Sequence, residues 1–310
     1  LNLYKKMVDE NKFQFRLYAL INGKGPLFEK YISNGPENYK DRINVKCFHL
    51  EYDGYFETQD AAMVNDYLKN PKRKTAYNDE FDIMEMTKKA FDKDFQVSVK
   101  AVGDRAINST LNAIESTYNK VKPKDGRTRI EYIEFVQPPD LQRLKHFEII
   151  PSVRPEVTIE DKYSIAGLIN PENSKNLGLW NTLLKQNGMI VSGTDFPYHT
   201  IAPLIQMYYL STGLGFDTAA NKLSNNSPQK LTVADALKSF TLWAAYASFA
   251  DDLKGSLEIG KLADMVVLSE DILAAEPKVL LNTKVVMTIV RGEIVYELKA
   301  PGVYLSGFVK

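Results

Sequence analysis

One cysteine, Cys47, stands in 310 residues, which excludes an intramolecular disulfide framework and a cysteine-based zinc cluster. The compartment stays open. Histidine is nearly as scarce, with only His49, His146 and His199, so a site built on imidazole has little to draw on. Neither sign of charge dominates: Lys plus Arg and Asp plus Glu both count 39, which gives no electrostatic reason to expect nucleic acid or an anionic membrane as partner. No apolar run reaches membrane-spanning length. Leu1 opens the chain with neither a methionine nor a signal-peptide pattern, which reads as a cut or a processing site. Asn108-Ser-Thr and Asn225-Asn-Ser match the glycosylation sequon, a pattern short enough to carry little weight in an Asn-rich chain.

What is present is enough apolar material, 44% of the residues, for a sizeable core in one large barrel or two ordinary domains. Runs rich in β-branched and aromatic residues predict strands at Phe13 to Leu20, Ile43 to Leu50, Phe95 to Val102, Arg129 to Phe135, Glu148 to Val153 and Met189 to Ser192. Apolar residues at three- and four-residue spacing between them predict helices over Asp82 to Asp92, Ile107 to Lys120 and Leu177 to Gln186. Such alternation means an α/β chain with a parallel sheet, either an open doubly wound one or a closed barrel. After Leu231 the pattern changes. Thr232 caps one helix and a second covers Leu242 to Phe249. Short strands follow at Ala263 to Leu268, Val285 to Arg291 and Glu293 to Tyr296, the last two forming a hairpin at Arg291-Gly292.

The tail Gly255-Ser-Leu-Glu-Ile-Gly-Lys-Leu-Ala-Asp-Met-Val-Val-Leu268 resembles the C-terminal signature of amidohydrolases. Val102-Gly-Asp-Arg-Ala106, Arg129-Ile-Glu131, Pro151-Ser-Val-Arg-Pro155, Gly193-Thr-Asp-Phe-Pro197 and Asp53-Gly54 followed by Ala61-Ala62 are similar in order and spacing to amidohydrolase family 3 motifs. The resemblance implies a TIM-like (β/α)8 barrel, of which this chain carries the last six strands over residues 1–254. It also implies a β-sandwich portion over residues 255–310. Another polypeptide is then expected along the edge strand Phe13 to Leu20 and along the sandwich, since an open remnant would expose strand edges and apolar faces.

The same resemblance implies a divalent metal such as zinc, held by imidazole and carboxylate at the C-terminal strand ends, where it acidifies a water. Asp195 matches the family's catalytic aspartate, which binds metal and takes the proton of that water. The other ligand positions are changed. Lys100 stands where the family has His, and an ammonium has no lone pair for metal. Tyr132 follows Arg129-Ile-Glu131 where His is expected, Val157 replaces a later His, and His49, or Lys46 under another alignment, falls at the bridging lysine. The expectation is that Lys100 pairs with Asp195 across the barrel mouth and that Tyr132 donates its hydroxyl to the same carboxylate. His199 reads as a surface residue, His146 as structural or solvent-facing, Asp104 and Arg105 as structural, and Gly103 and Gly193 as tight-turn residues. Two readings of function follow. One is a pseudoenzyme with no metal cofactor and a binding, storage or structural role. The other is a metal-dependent hydrolase of C–N or ester bonds that uses Asp195 and ligands from a missing N-terminal segment.

Overall fold

A computed structural model describes residues 1–13, 15–70, 76–165, 167–214 and 228–298. The chain begins with α1 (Asn2–Asp9), β1 (Leu17–Asn22), α2 (Pro26–Asn34), β2 (Glu37–Tyr39) and β3 (Ile43–Glu51). Helix and strand then alternate through α3 (Glu80–Asp92), β4 (Gln96–Lys100), α4 (Asp104–Tyr118), β5 (Arg129–Glu131), α5 (Pro138–His146) and β6 (Ile150–Val153). Next come α6 (Pro155–Ser164), α7 (Pro171–Ser174), α8 (Trp180–Asn187) and β7 (Val191–Ser192), followed by α9 (Pro203–Thr212), α10 (Val233–Phe240) and α11 (Leu242–Ala247). A tail of β8 (Met265–Leu268), β9 (Val285–Val290) and β10 (Glu293–Glu297) ends the described chain. No helix among the described residues is long and apolar enough to cross a membrane.

The six expected strands are the six parallel ones, ordered β1-β3-β4-β5-β6-β7, with the short β2 antiparallel on β3. Their limits differ from the sequence reading for local reasons. The run from Arg129 stops at Glu131 because Tyr132 turns to φ 55°, and Glu148, at φ 52°, keeps β6 from starting before Ile150. β1 is shifted to Leu17–Asn22. Helix starts follow their caps: Asp79 and Asp82 form a reciprocal capping box on α3. The Thr232 side chain accepts from the Asp235 amide at 3.0 Å to open α10, as expected.

Alternation along the strands sorts the side chains. Val97 and Val99 of β4, Ile130 of β5 and Val153 of β6 belong to the same buried core as Ile83, Met86 and Ala90 of α3 and Ile107, Leu111 and Ile114 of α4. The alternate positions are polar. In register across the sheet stand His49 beside Ser98, Glu51 beside Lys100, Lys100 beside Glu131, and Glu131 beside Ser152. Every residue of β4, including Gln96, Ser98 and Lys100, is nonetheless buried. One face of the sheet is therefore ordinary hydrophobic core, and the other carries buried charge.

The tail strands form a separate antiparallel sheet, ordered β10-β9-β8, as the sequence predicts. The hairpin turns at Arg291 and Gly292, with φ of 57° and 81°, a pair that suits a two-residue turn. On this sheet Val266 is 53% exposed, since the outer face of β8 has no covering layer among the described residues, while Leu268 packs on the main core. Where a sandwich portion is expected, the described residues form a three-stranded sheet, and 299–310 of the expected unit lie outside them. Arg16 pairs with Asp264 at 2.9 Å and ties this sheet to the chain just before β1.

Candidate functional site

Side chains from all six parallel strands line a single cavity of about 430 Å³, so the sheet curls around it. Leu20 comes from β1, His49 and Glu51 from β3, Lys100 from β4, Arg129 and Glu131 from β5, Ser152 from β6, and Val191 and Ser192 from β7. Glu51, Lys100, Glu131 and Ser192 are the last residues of their strands, so the opening lies at the C-terminal ends, where this architecture places its sites.

Glu131 is the hub. Arg129 Nε lies 2.9 Å from one of its oxygens and Arg154 2.9 Å from the other, while Ser98 donates at 3.2 Å and Ser152 donates a short hydrogen bond. Burial alone would raise the Glu131 carboxyl, but the two guanidiniums and the Ser152 hydroxyl outweigh it and hold the group well below the usual carboxylate range. Arg154 also donates to Ser152 at 2.9 Å and lies 4.8 Å from the centre of the Tyr132 ring. Gly193 makes room for it: a Cβ at that position would sit 2.9 Å from the Arg154 guanidinium carbon. The sequence reading of Gly193 as a tight-turn residue is corrected accordingly. Gly103 is also a close-approach residue, since its Cβ would meet the Ala62 carbonyl oxygen at 2.2 Å.

Asp195 and Tyr132 meet as expected, the tyrosine hydroxyl donating a short hydrogen bond to Asp195 Oδ1. Burial, and then this bond, raise the Tyr132 hydroxyl above its ordinary value despite the nearby Arg154. The expected Lys100 contact with Asp195 is not made. Lys100 Nζ stands 3.7 Å from Glu51, the residue beside it in register, and 3.7 Å from the centre of the Tyr55 ring, with Tyr132 at 5.2 Å. The aromatic faces and the neighbouring strand, rather than the carboxylate across the mouth, take the ammonium.

His49 also lines the cavity, its Nδ1 3.1 Å from Ser98 Oγ, and burial pushes its pKa down, favouring the neutral ring. Lys46, the alternative in its alignment, pairs with Asp94 at 3.2 Å and is not a cavity residue. His199, expected at the surface, has only 18% of its side chain exposed and stands 3.5 Å from Asp195 and 3.1 Å from Glu160. His146 is exposed at the end of α5. Val157 packs beside Tyr132 and Phe135 in a second apolar cluster. Asp104 is structural as read, accepting from the Val64 amide at 2.7 Å and from Gln137 at 2.7 Å, and Arg105 donates to the Met63 carbonyl at 3.2 Å.

The sequence reading missed what Asp53 does. Its carboxylate accepts from the amides of Ala62 at 2.7 Å and of Val102 and Gly103 at 2.9 Å each, so three of the quoted motifs are parts of one clamp. The clamp fixes the loop that carries Tyr55 over Lys100. The signal was there in Asp53-Gly54, Ala61-Ala62 and Val102-Gly103, but nothing in their spacing shows that they touch.

A family model of the amidohydrolase family matches residues 1–296, and the chain belongs to that family. It is 25% identical over 304 residues to the Bacillus subtilis protein YtcJ, covering 95% of this chain and 54% of that one. It is 28% identical over 262 residues to the Arabidopsis thaliana protein LONG AFTER FAR-RED 3, covering 82% of this chain and 42% of that one. The chain thus spans about half the length of these relatives. Among solved structures it resembles an uncharacterized metal-dependent hydrolase from Pyrococcus horikoshii, with TM-score 0.77 and 23% identity over 88% of this chain and 54% of that one. A counterpart from Pyrococcus furiosus matches with TM-score 0.70 and 21% identity over 83% and 51% of the two chains. These likenesses establish the fold as the TIM-like barrel type.

The family implies a divalent metal, and the described side chains do not fit one. No three His, Cys, Asp or Glu groups gather among the described residues. Glu131 already answers two guanidiniums, and the Lys100 ammonium, which has no lone pair to offer, lines the same cavity.

Proposed function

We propose that this chain forms an amidohydrolase-fold cavity that has given up metal-dependent hydrolysis and serves binding, with a storage or structural role as the wider setting. One observation carries the reading: Lys100, Arg129 and Arg154 place three cationic groups on the wall that a divalent ion would have to share. A divalent ion added to these three would meet repulsion and find its carboxylates already engaged. Metal analysis of the full protein, purified without added metal, tests this. Zinc, iron and manganese well below one per chain are the expected result, and stoichiometric metal would overturn it.

A second reading, metal-dependent hydrolysis of C–N or ester bonds with Asp195 as base, is favoured by the His199 and Asp195 pairing at 3.5 Å and by the neutral His49 in the cavity. It requires ligands from a segment outside this chain. Stoichiometric metal together with loss of hydrolysis in Asp195→Asn would establish it. On either reading we propose that a further polypeptide segment completes the sheet along β1 and covers the tail sheet, with residues 255–310 as a separate unit. The exposed Leu20 on β1 and the exposed Val266, Val267, Ile294 and Tyr296 on the tail sheet support that proposal.

A further inference from the structure

The charged groups of the cavity are unequally answered. Glu131 accepts hydrogen bonds from Arg154, Ser98 and Ser152 and is ion-paired with Arg129. Asp195 accepts from Tyr132 and faces His199, and Arg154 is bonded to Glu131, Ser152 and the Val153 carbonyl. Lys100 is the exception. It is 4% exposed and lines the cavity, yet no hydrogen bond reaches its ammonium among the described residues. Its nearest carboxylate, Glu51, stays at 3.7 Å and keeps 53% of its side chain in solvent. An ammonium has three N–H donors, and the Tyr55 ring face can engage only part of that charge. Its donors therefore face the cavity, where whatever occupies that space can answer them.

We propose that Lys100 is the anchor of a carboxylate-binding subsite, and that the cavity takes a small organic monoacid with an apolar body. The inference rests on the binding reading above and names its ligand class. The carboxylate meets the Lys100 ammonium between the Tyr55 and Tyr132 rings and replaces Glu51, which is solvated enough to turn outward. The acid's body then has Leu20, Val191, Ala244 and Ala247 as apolar wall. A cationic ligand is disfavoured by the same inventory, because each carboxylate lining the cavity among the described residues already has a partner, Glu51 with Lys100, Glu131 with its two arginines and Asp195 with Tyr132.

The test compares benzoate with benzamide by isothermal titration of the full protein, each with and without chelator. The pair has matched shape and differs in charge. Benzoate is expected to bind at least about tenfold more tightly than benzamide, to lose that advantage in Lys100→Met, and to keep it in Lys100→Arg. Equal binding of the two probes, no binding of either, or unchanged benzoate binding in Lys100→Met would overturn the inference. The wild-type comparison stands even if Lys100→Met does not fold. Chelator separates the two claims: benzoate binding abolished by chelation would place the acid on a metal, overturning both this inference and the binding reading. Chelator-insensitive benzoate binding that Lys100→Met leaves intact would overturn the Lys100 anchor alone.

Discussion

The two sheets of this chain treat polar and apolar side chains in opposite ways. The parallel sheet buries Arg129, Glu131 and Lys100 on its inner face, while the tail sheet leaves Val266, Val267, Ile294 and Tyr296 exposed. In the first, register sets one strand-end group beside the next, so nearly every buried charge meets a partner. The second has apolar side chains and no layer described over them. Burial in this molecule therefore follows partnership more than residue polarity: a charge is inside where neighbours answer it, and a valine is outside where none covers it.

The comparison breaks most severely at Glu131. Glu131→Leu leaves Arg129 and Arg154 buried without their carboxylate, and a loss of about 3–5 kcal/mol in denaturant-unfolding stability is expected. Gly103→Ala comes next. Its methyl group meets the Ala62 carbonyl in the Asp53 clamp, and the overpacking is expected to cost about 1–3 kcal/mol by the same measurement.

A pH series sharpens the contrast further. Burial pushes the Glu134 carboxyl up to about 7, although Thr158 donates to it and Arg154 and Lys162 pull it down. Because the folded group holds its proton more tightly than the unfolded one, its contribution is fully present below about pH 4.5 and is lost as pH rises through 7. The melting temperature should therefore fall between pH 5 and pH 8 on this group's account, and Glu134→Gln should flatten that fall. Glu131, shifted the other way, contributes above its unfolded value and loses that only in more acidic solution, outside the window. An unchanged slope in Glu134→Gln would remove Glu134 as its source. At the small end, Val266→Thr on the exposed face of β8 should change the stability of this chain by itself by no more than about 0.5 kcal/mol. A clearly larger effect once the proposed further segment is present would place that segment on the tail sheet, and an equally small effect would take the tail sheet out of its footprint.

Much of the parallel sheet was legible in the sequence because a buried strand is a local signal: six apolar runs mark the six strands, and the Thr232 cap marks its helix. The strand ends were less legible, since Tyr132 and Glu148 adopt left-handed backbone that their residue types do not announce. The site was legible as a set of positions and not as a set of contacts. Lys100, Tyr132, Asp195 and His49 do share one cavity, but the partner of Lys100 is decided by a one-step register with Glu51 and by Tyr55 arriving on a loop. Arg154 and Gly193 were visible as motif residues. That the second exists to admit the first depends on two strands being adjacent, which only the fold supplies.

Tyr132 and Asp195 hold each other across the cavity, and both have positive φ, 55° and 58°. Glycine would relieve backbone strain of about 1 kcal/mol at each position. At Tyr132 it would also remove a buried ring from the cluster with Val157 and Phe135, a loss of about 3–5 kcal/mol. Packing therefore holds the strained backbone in place, and the residue that keeps the cavity wall is the same one that keeps the cluster beneath it closed.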